Sequence, residues 1–187
     1  MKNESNMKPG ELKFTKMLEA TAGSQAEGKH TLMFDRTGGL IPRFYYYKAK
    51  LVDFNKEVLK MKAKNQTVDA AKEVLRQSIV NAAKWGQTIV IDIDMQMPDW
   101  KSKSEHELFD ADLIFNLEQL KNGDNCKKIL KEDEDVDENE VAGNYYVRDD
   151  FEMVFVYKYK NEEHMQQVMN SIPHFQTSWN AFIVTNW

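Results

Sequence analysis

Gln87-Thr88-Ile89-Val90-Ile91-Asp92-Ile93-Asp94 is the stretch whose reading decides the fold. A continuous β-branched run from Thr88 to Ile91 fits a short strand covered on both faces, as in the parallel sheet of an α/β protein. Two carboxylates, Asp92 and Asp94, stand at its carboxyl end. Upstream, Val74, Leu75, Ile79 and Ala82 recur at helical spacing, which predicts a helix over 69–85. Gly86 follows, in the position where a left-handed residue ends a helix. Thr67 is the residue type that caps the start.

The same reading extends to both sides. His30 to Phe34 predicts a first strand, followed by the turn Arg36-Thr37-Gly38-Gly39. Phe44 to Lys64 reads as one helix, with Leu51, Phe54, Val58, Leu59 and Met61 on its apolar side and six lysines on the remainder. Beyond Asp94, Asp110 to Leu120 predicts a helix and Phe151 to Tyr159 a third strand. Asn161 caps a helix through Asn170, and Ser178 to Thr185 forms the last strand. The alternation of strands and helices predicts an α/β domain with a mostly parallel sheet flanked by helices. It occupies 30–187. Residues 1–29 read as a polar N-terminal extension, in which Glu11 to Ala20 form a short docking helix carrying Phe14, Met17 and Leu18. A helix this short is marginal unless it packs on something.

Composition narrows the class. A hydrophobic fraction of 42% over 187 residues is enough to build a core, so the chain is not a disordered one. The net charge of -5 comes from one place, because Glu132 to Glu140 holds seven acids and the remainder of the chain is at +2. A nearly neutral body has no global field for nucleic acid and argues against it as a partner. The run itself reads as a solvated loop or a contact for a basic partner. Asp133, Asp135 and Asp137 alternate as in a calcium loop, but Glu138 stands where glycine belongs and Asn144 where the bidentate glutamate belongs. Cys126 is the only cysteine, so no intrachain disulfide forms. The four histidines lack metal-ligand spacing. With no apolar run of membrane length and no leader-like core, the expectation is an intracellular, cytoplasmic protein without a membrane partner.

Ile89-Val90-Ile91-Asp92 resembles the Walker B strand of P-loop NTPases, and the helix–Gly–strand entry from Ala82 to Ile91 is similar in rhythm to AAA-type modules, including those of dynein motors. The resemblance implies a P-loop-NTPase-like fold in which Asp92, with Asp94, would hold the magnesium of a bound nucleotide. Such a site needs a phosphate loop that follows a strand and opens a helix. Gly23-Ser24-Gln25-Ala26-Glu27-Gly28-Lys29 matches the pattern by letter, with Lys29 as the phosphate cation. However, His30 replaces the magnesium-binding hydroxyl, and the context is helix before and strand after. Asp35 to Arg43 has the right topology but lacks the lysine–hydroxyl pair, leaving Arg36 or Arg43 as a surrogate. At the third strand, Val156-Tyr157-Lys158-Tyr159 departs from the small polar residue the family uses to sense a γ-phosphate.

The resulting expectation is a pseudo-NTPase: a fold retained without its chemistry, no enzyme and no cofactor. It would serve as a structural or accessory subunit that binds other proteins of a larger assembly, with the dynein-like rhythm pointing to a ciliary axoneme. The alternative is a magnesium-nucleotide NTPase or small kinase using Gly28, Lys29, Arg36, Asp92 and Asp94. Partner contacts are expected at Phe14, Met17, Leu18, Arg43, Tyr45, Tyr46, Tyr47 and Trp187. Four consecutive aromatics from Phe44 to Tyr47 cannot all face one core, since successive helical residues turn by about 100°. Tyrosine and arginine are common interface anchors.

Overall fold

The computed structural model of the protein describes residues 8–100 and 108–186. Among these residues six strands make one sheet, β1 (Gly10–Lys13), β2 (His30–Asp35), β3 (Lys50–Asp53), β4 (Thr88–Asp94), β5 (Glu152–Lys158) and β6 (Trp179–Thr185). Their order is β1-β6-β2-β5-β4-β3, and every neighbouring pair is parallel. Among the described residues, eight α-helices connect and cover them: α1 (Met17–Ala26), α2 (Leu40–Tyr45), α3 (Phe54–Lys62), α4 (Val68–Lys84), α5 (Ala111–Ile114), α6 (Leu117–Lys121), α7 (Glu162–Ser171) and α8 (Phe175–Ser178). The architecture is therefore α/β with an all-parallel sheet between helices.

Burial on both faces explains the continuous apolar runs. Successive strand side chains point to opposite faces. Leu32, Phe34, Ile89, Ile91, Ile93, Met153, Phe155 and Tyr157 join the larger core under α3, α4 and α7. The residues between them, Met33, Val90, Val154 and Val156, join Met17, Ile41 and Tyr45 in a smaller core on the other face. The helix boundaries follow local chemistry: Thr67 Oγ1 accepts the Ala70 N–H at 3.1 Å, and Asn161 Oδ1 accepts that of His164 at 2.8 Å. Gly86 ends α4 at φ +62°, where an added Cβ would meet the Cβ atoms of Arg148 and Asp150 at 3.3 Å.

Three sequence expectations are corrected. The single helix over Phe44–Lys64 is instead α2, strand β3 and α3. Helical spacing of apolar residues concealed Leu51 and Val52, which pair with Val90 and Ile91 of β4, so tertiary pairing outweighed helix propensity. Second, the N-terminal stretch is not wholly helical. Gly10–Lys13 adds an edge strand beside β6, and the helix begins at Met17. Third, the acid run is partly built into the fold. The fully buried guanidinium of Arg76 on α4 is gripped by Glu134 at 2.6 and 2.8 Å, by Glu73 at 2.7 and 2.8 Å, and by the Ile129 carbonyl at 2.7 Å. Asp135 accepts the Tyr145 N–H, and Glu138 pairs with Arg148.

Candidate functional site

All strands point the same way, so their carboxyl ends share one rim. Open α/β sheets bind ligands at that rim, where connections from neighbouring strands leave toward opposite faces. Here that point lies between β2, followed by α2 on the thinner face, and β5, followed by α7 on the thicker one. A cavity of about 270 Å³ opens there. It is lined by Asp35 and the Gly38-Gly39 loop, by Asp53, Asp92 and Asp94, and by Lys158.

Strand register assembles this group. Asp92 of β4 lies directly opposite Asp53, the last residue of β3, and Asp35 of β2 faces Lys158 of β5. After Asp92 the β4–β5 register shifts, and Asp94 takes a left-handed conformation at φ +55°. Asp92 accepts the Asp94 N–H at 3.2 Å. Burial first, and then repulsion from Asp53, Asp94 and Asp35, push the Asp92 carboxyl up to about 6. Four carboxylates thus face one ammonium. Asp53 is also committed locally, capping α3 through the Lys56 N–H at 2.9 Å.

The loop after β2 follows a strand and leads into helix α2, with Gly38 at φ +78° and Gly39 at φ +94°. Three of its backbone donors, however, are already taken, those of Thr37, Gly39 and Leu40. Asp35 Oδ1 accepts the Thr37 N–H and hydroxyl, both at 2.6 Å, and Oδ2 accepts the Gly39 N–H at 3.0 Å. The Leu40 N–H donates to Thr37 Oγ1 at 3.0 Å. A carboxylate of the chain itself therefore occupies the Thr37 and Gly39 amides of this loop.

The sequence-predicted residues separate accordingly. Asp92 and Asp94 do come together at the rim. Gly28 and Lys29 do not: Gly28, at φ +70°, makes the turn into β2 at the opposite end of the sheet, and Lys29 Nζ binds Glu27 at 3.1 Å and Asn180 at 3.3 Å. A G-x-x-x-x-G-K pattern that enters a strand instead of opening a helix has no helix N-terminus to offer. Arg36 lies over the Tyr159 ring at 4.2 Å and does not line the cavity. Among the expected partner contacts, Met17 is 1% exposed and Tyr45 2%, so both belong to the chain's own core. Phe14 packs edge-on against Phe44 at 5.7 Å. Leu18, Arg43, Tyr46 and Tyr47 are exposed, the two tyrosines by 67% and 85%. Trp187 lies outside the described residues.

Sequence reasoning missed the roles of Asp35 and Asp53. Asp53 was hidden inside an expected helix. Asp35 carried a signal, because an aspartate two residues before a threonine in a glycine turn is the pattern of a side chain that hydrogen-bonds its own backbone. Among the described residues, no group of three or more His, Cys, Asp or Glu side chains is placed to hold a metal ion, and no helix is long and apolar enough to cross a membrane. No family model, curated protein or solved structure matches the chain.

Proposed function

We propose that the protein is a non-enzymatic, protein-binding subunit of a larger intracellular assembly, built on a P-loop-NTPase-like fold that no longer takes nucleotide. The observation carrying this reading is the Asp35 carboxylate, which engages two backbone donors of the loop after β2, the N–H groups of Thr37 and Gly39. A bound polyphosphate would have to displace that carboxylate and then face Asp53, Asp92 and Asp94 with Lys158 as the lining cation. The all-parallel sheet is compatible with the resemblance behind the reading, with Asp92 on a strand buried on both faces. The exposed Tyr46 and Tyr47 supply the contact surface, since large rings left in water are favourable to bury against a partner. The dynein-like rhythm near Trp85 makes a ciliary axoneme the setting we infer for such an assembly.

Thermal-shift titration with magnesium-ATP and magnesium-GTP tests the reading. The expected result is an unchanged melting temperature for the parent chain. A nucleotide-dependent rise that disappears in Asp92→Asn would overturn the proposal and establish the NTPase or kinase alternative. Partner binding is tested by crosslinking in cells, comparing the parent with Tyr46→Ser/Tyr47→Ser. Deleting the N-terminal stretch is unsuitable, because it would also remove β1 and the buried Met17.

A further inference from the structure

Strand β3 ends the sheet, with β4 on one side and no strand among the described residues on the other. A strand in that position leaves half its backbone N–H and C=O groups directed outward, which is the template that an incoming extended segment pairs with. The edge is held firmly: Leu51 packs against the smaller core and Val52 belongs to the larger one, so opposite faces pin adjacent residues.

Where β3 begins, Tyr46, Tyr47, Lys48 and Lys50 line a surface groove of about 460 Å³ that reaches Thr88 of β4. Both lysines are exposed. From Arg36 to Val52 the sequence carries four cations and no acid. The nearby Glu152 is bound by the Thr88 hydroxyl at 2.7 Å, and burial raises its carboxyl above the ordinary range. At the other end of β3, Asp53 turns its carboxylate back onto α3. The outward field where β3 begins is therefore positive.

We propose that the β3 edge docks an extended acidic segment of another protein, which adds as a further strand with its carboxylates on Lys48 and Lys50 and its side chains against Tyr46 and Tyr47. This rests on the protein-binding reading above and names the chemistry of the partner. Charge complementarity selects the acidic segment, and the free backbone groups select an extended one. The two tyrosine rings cross at 83° with centroids 5.0 Å apart, so they do not present parallel faces on which successive bases would stack. The chain's own acid run is the weaker occupant, because Glu134, Asp135 and Glu138 already hold Arg76, the Tyr145 amide and Arg148.

The test is a backbone-amide NMR titration of the full chain with three probes: a blocked peptide alternating glutamate and valine, its lysine–valine counterpart, and an oligothymidylate. The acidic peptide is expected to shift the amides of Tyr46 to Asp53. Its affinity is expected to fall by about tenfold in Lys48→Glu/Lys50→Glu, and to weaken as salt rises. Equal binding of the lysine peptide, tighter binding of oligothymidylate, shifts confined to other surfaces, or self-association of the chain through this edge would each overturn the proposal. Magnesium-ATP is titrated in parallel. A nucleotide response lost in Asp92→Asn overturns the protein-binding reading itself, whereas silence of the acidic peptide alone overturns only the docking site.

Discussion

His30 opens β2 in the middle of the sheet and is wholly buried, with its ring 5.0 Å from Trp179 and 6.5 Å from Phe151. Its ring nitrogens make no well-formed hydrogen bond among the described residues. Burial therefore pushes the imidazole down to about 3, against a smaller opposing pull from the Ile114 backbone. The native state refuses a proton that the unfolded chain accepts near pH 6.5, so stability falls as pH drops below that value and the loss levels off near pH 3. A shift of this size, at about 1.4 kcal/mol per pH unit, makes the native state lose roughly 3 kcal/mol between pH 7.5 and pH 4 from this residue alone. Replacing it with an apolar ring of similar size, His30→Phe, removes that sensitivity. Urea denaturation of parent and variant across this range isolates the residue, because the remaining titrating groups are common to both. The variant is expected to lose about 3 kcal/mol less than the parent on acidification. Parallel pH profiles for the two proteins would refute the reasoning, whatever their absolute stabilities.

Arg76→Ala leaves Glu73 and Glu134 without their shared cation, and an expected loss of about 3–5 kcal/mol would appear in chemical denaturation. The Arg76 guanidinium holds the Glu73 carboxyl down at about 2, so this contribution is present at neutral pH and is lost as pH falls toward that value. Asp92→Asn has the opposite pH signature. The raised carboxyl makes ionisation costly in the native state, so the variant should gain about 1 kcal/mol above pH 6, once the partly exposed site is discounted for solvent screening. That gain should vanish below pH 4, and thermal melts at both ends of the range check it. Gly86→Ala combines a left-handed backbone with a Cβ pressed against Arg148 and Asp150, and should cost at least about 1 kcal/mol by urea midpoint.

The strands buried on both faces were legible because Thr88 to Ile91 and Met153 to Tyr157 are unbroken enough to exclude a half-solvated sheet. Capping residues such as Thr67 and Asn161 marked helix starts correctly because that chemistry is local. Lys50 to Asp53 was illegible because four residues carry too little pattern to compete with a surrounding helical period, and only their register against β4 makes them a strand. The rim was half legible. Asp92 and Asp94 announce themselves by following a buried run, while their neighbours Asp35, Asp53 and Lys158 come from three other strands that only the sheet order brings together. Likewise, nothing in the spacing of Arg76 and Glu134 shows that one neutralises the other across the fold.

The pairing of β1 with β6 sets Gly10 beside Phe182, joining stretches from nearly opposite ends of the sequence. At a synthesis rate of about 5–20 residues per second, β1 leaves the ribosome roughly ten to thirty seconds before its partner exists. During that interval β2, β3, β4 and β5 can assemble, but the side of β2 that will receive β6 remains open. The outer third of the sheet is therefore laid down last. A pause or truncation late in translation would leave an incomplete sheet with an unpaired β2 edge, and that nascent species is the one a chaperone would have to shield.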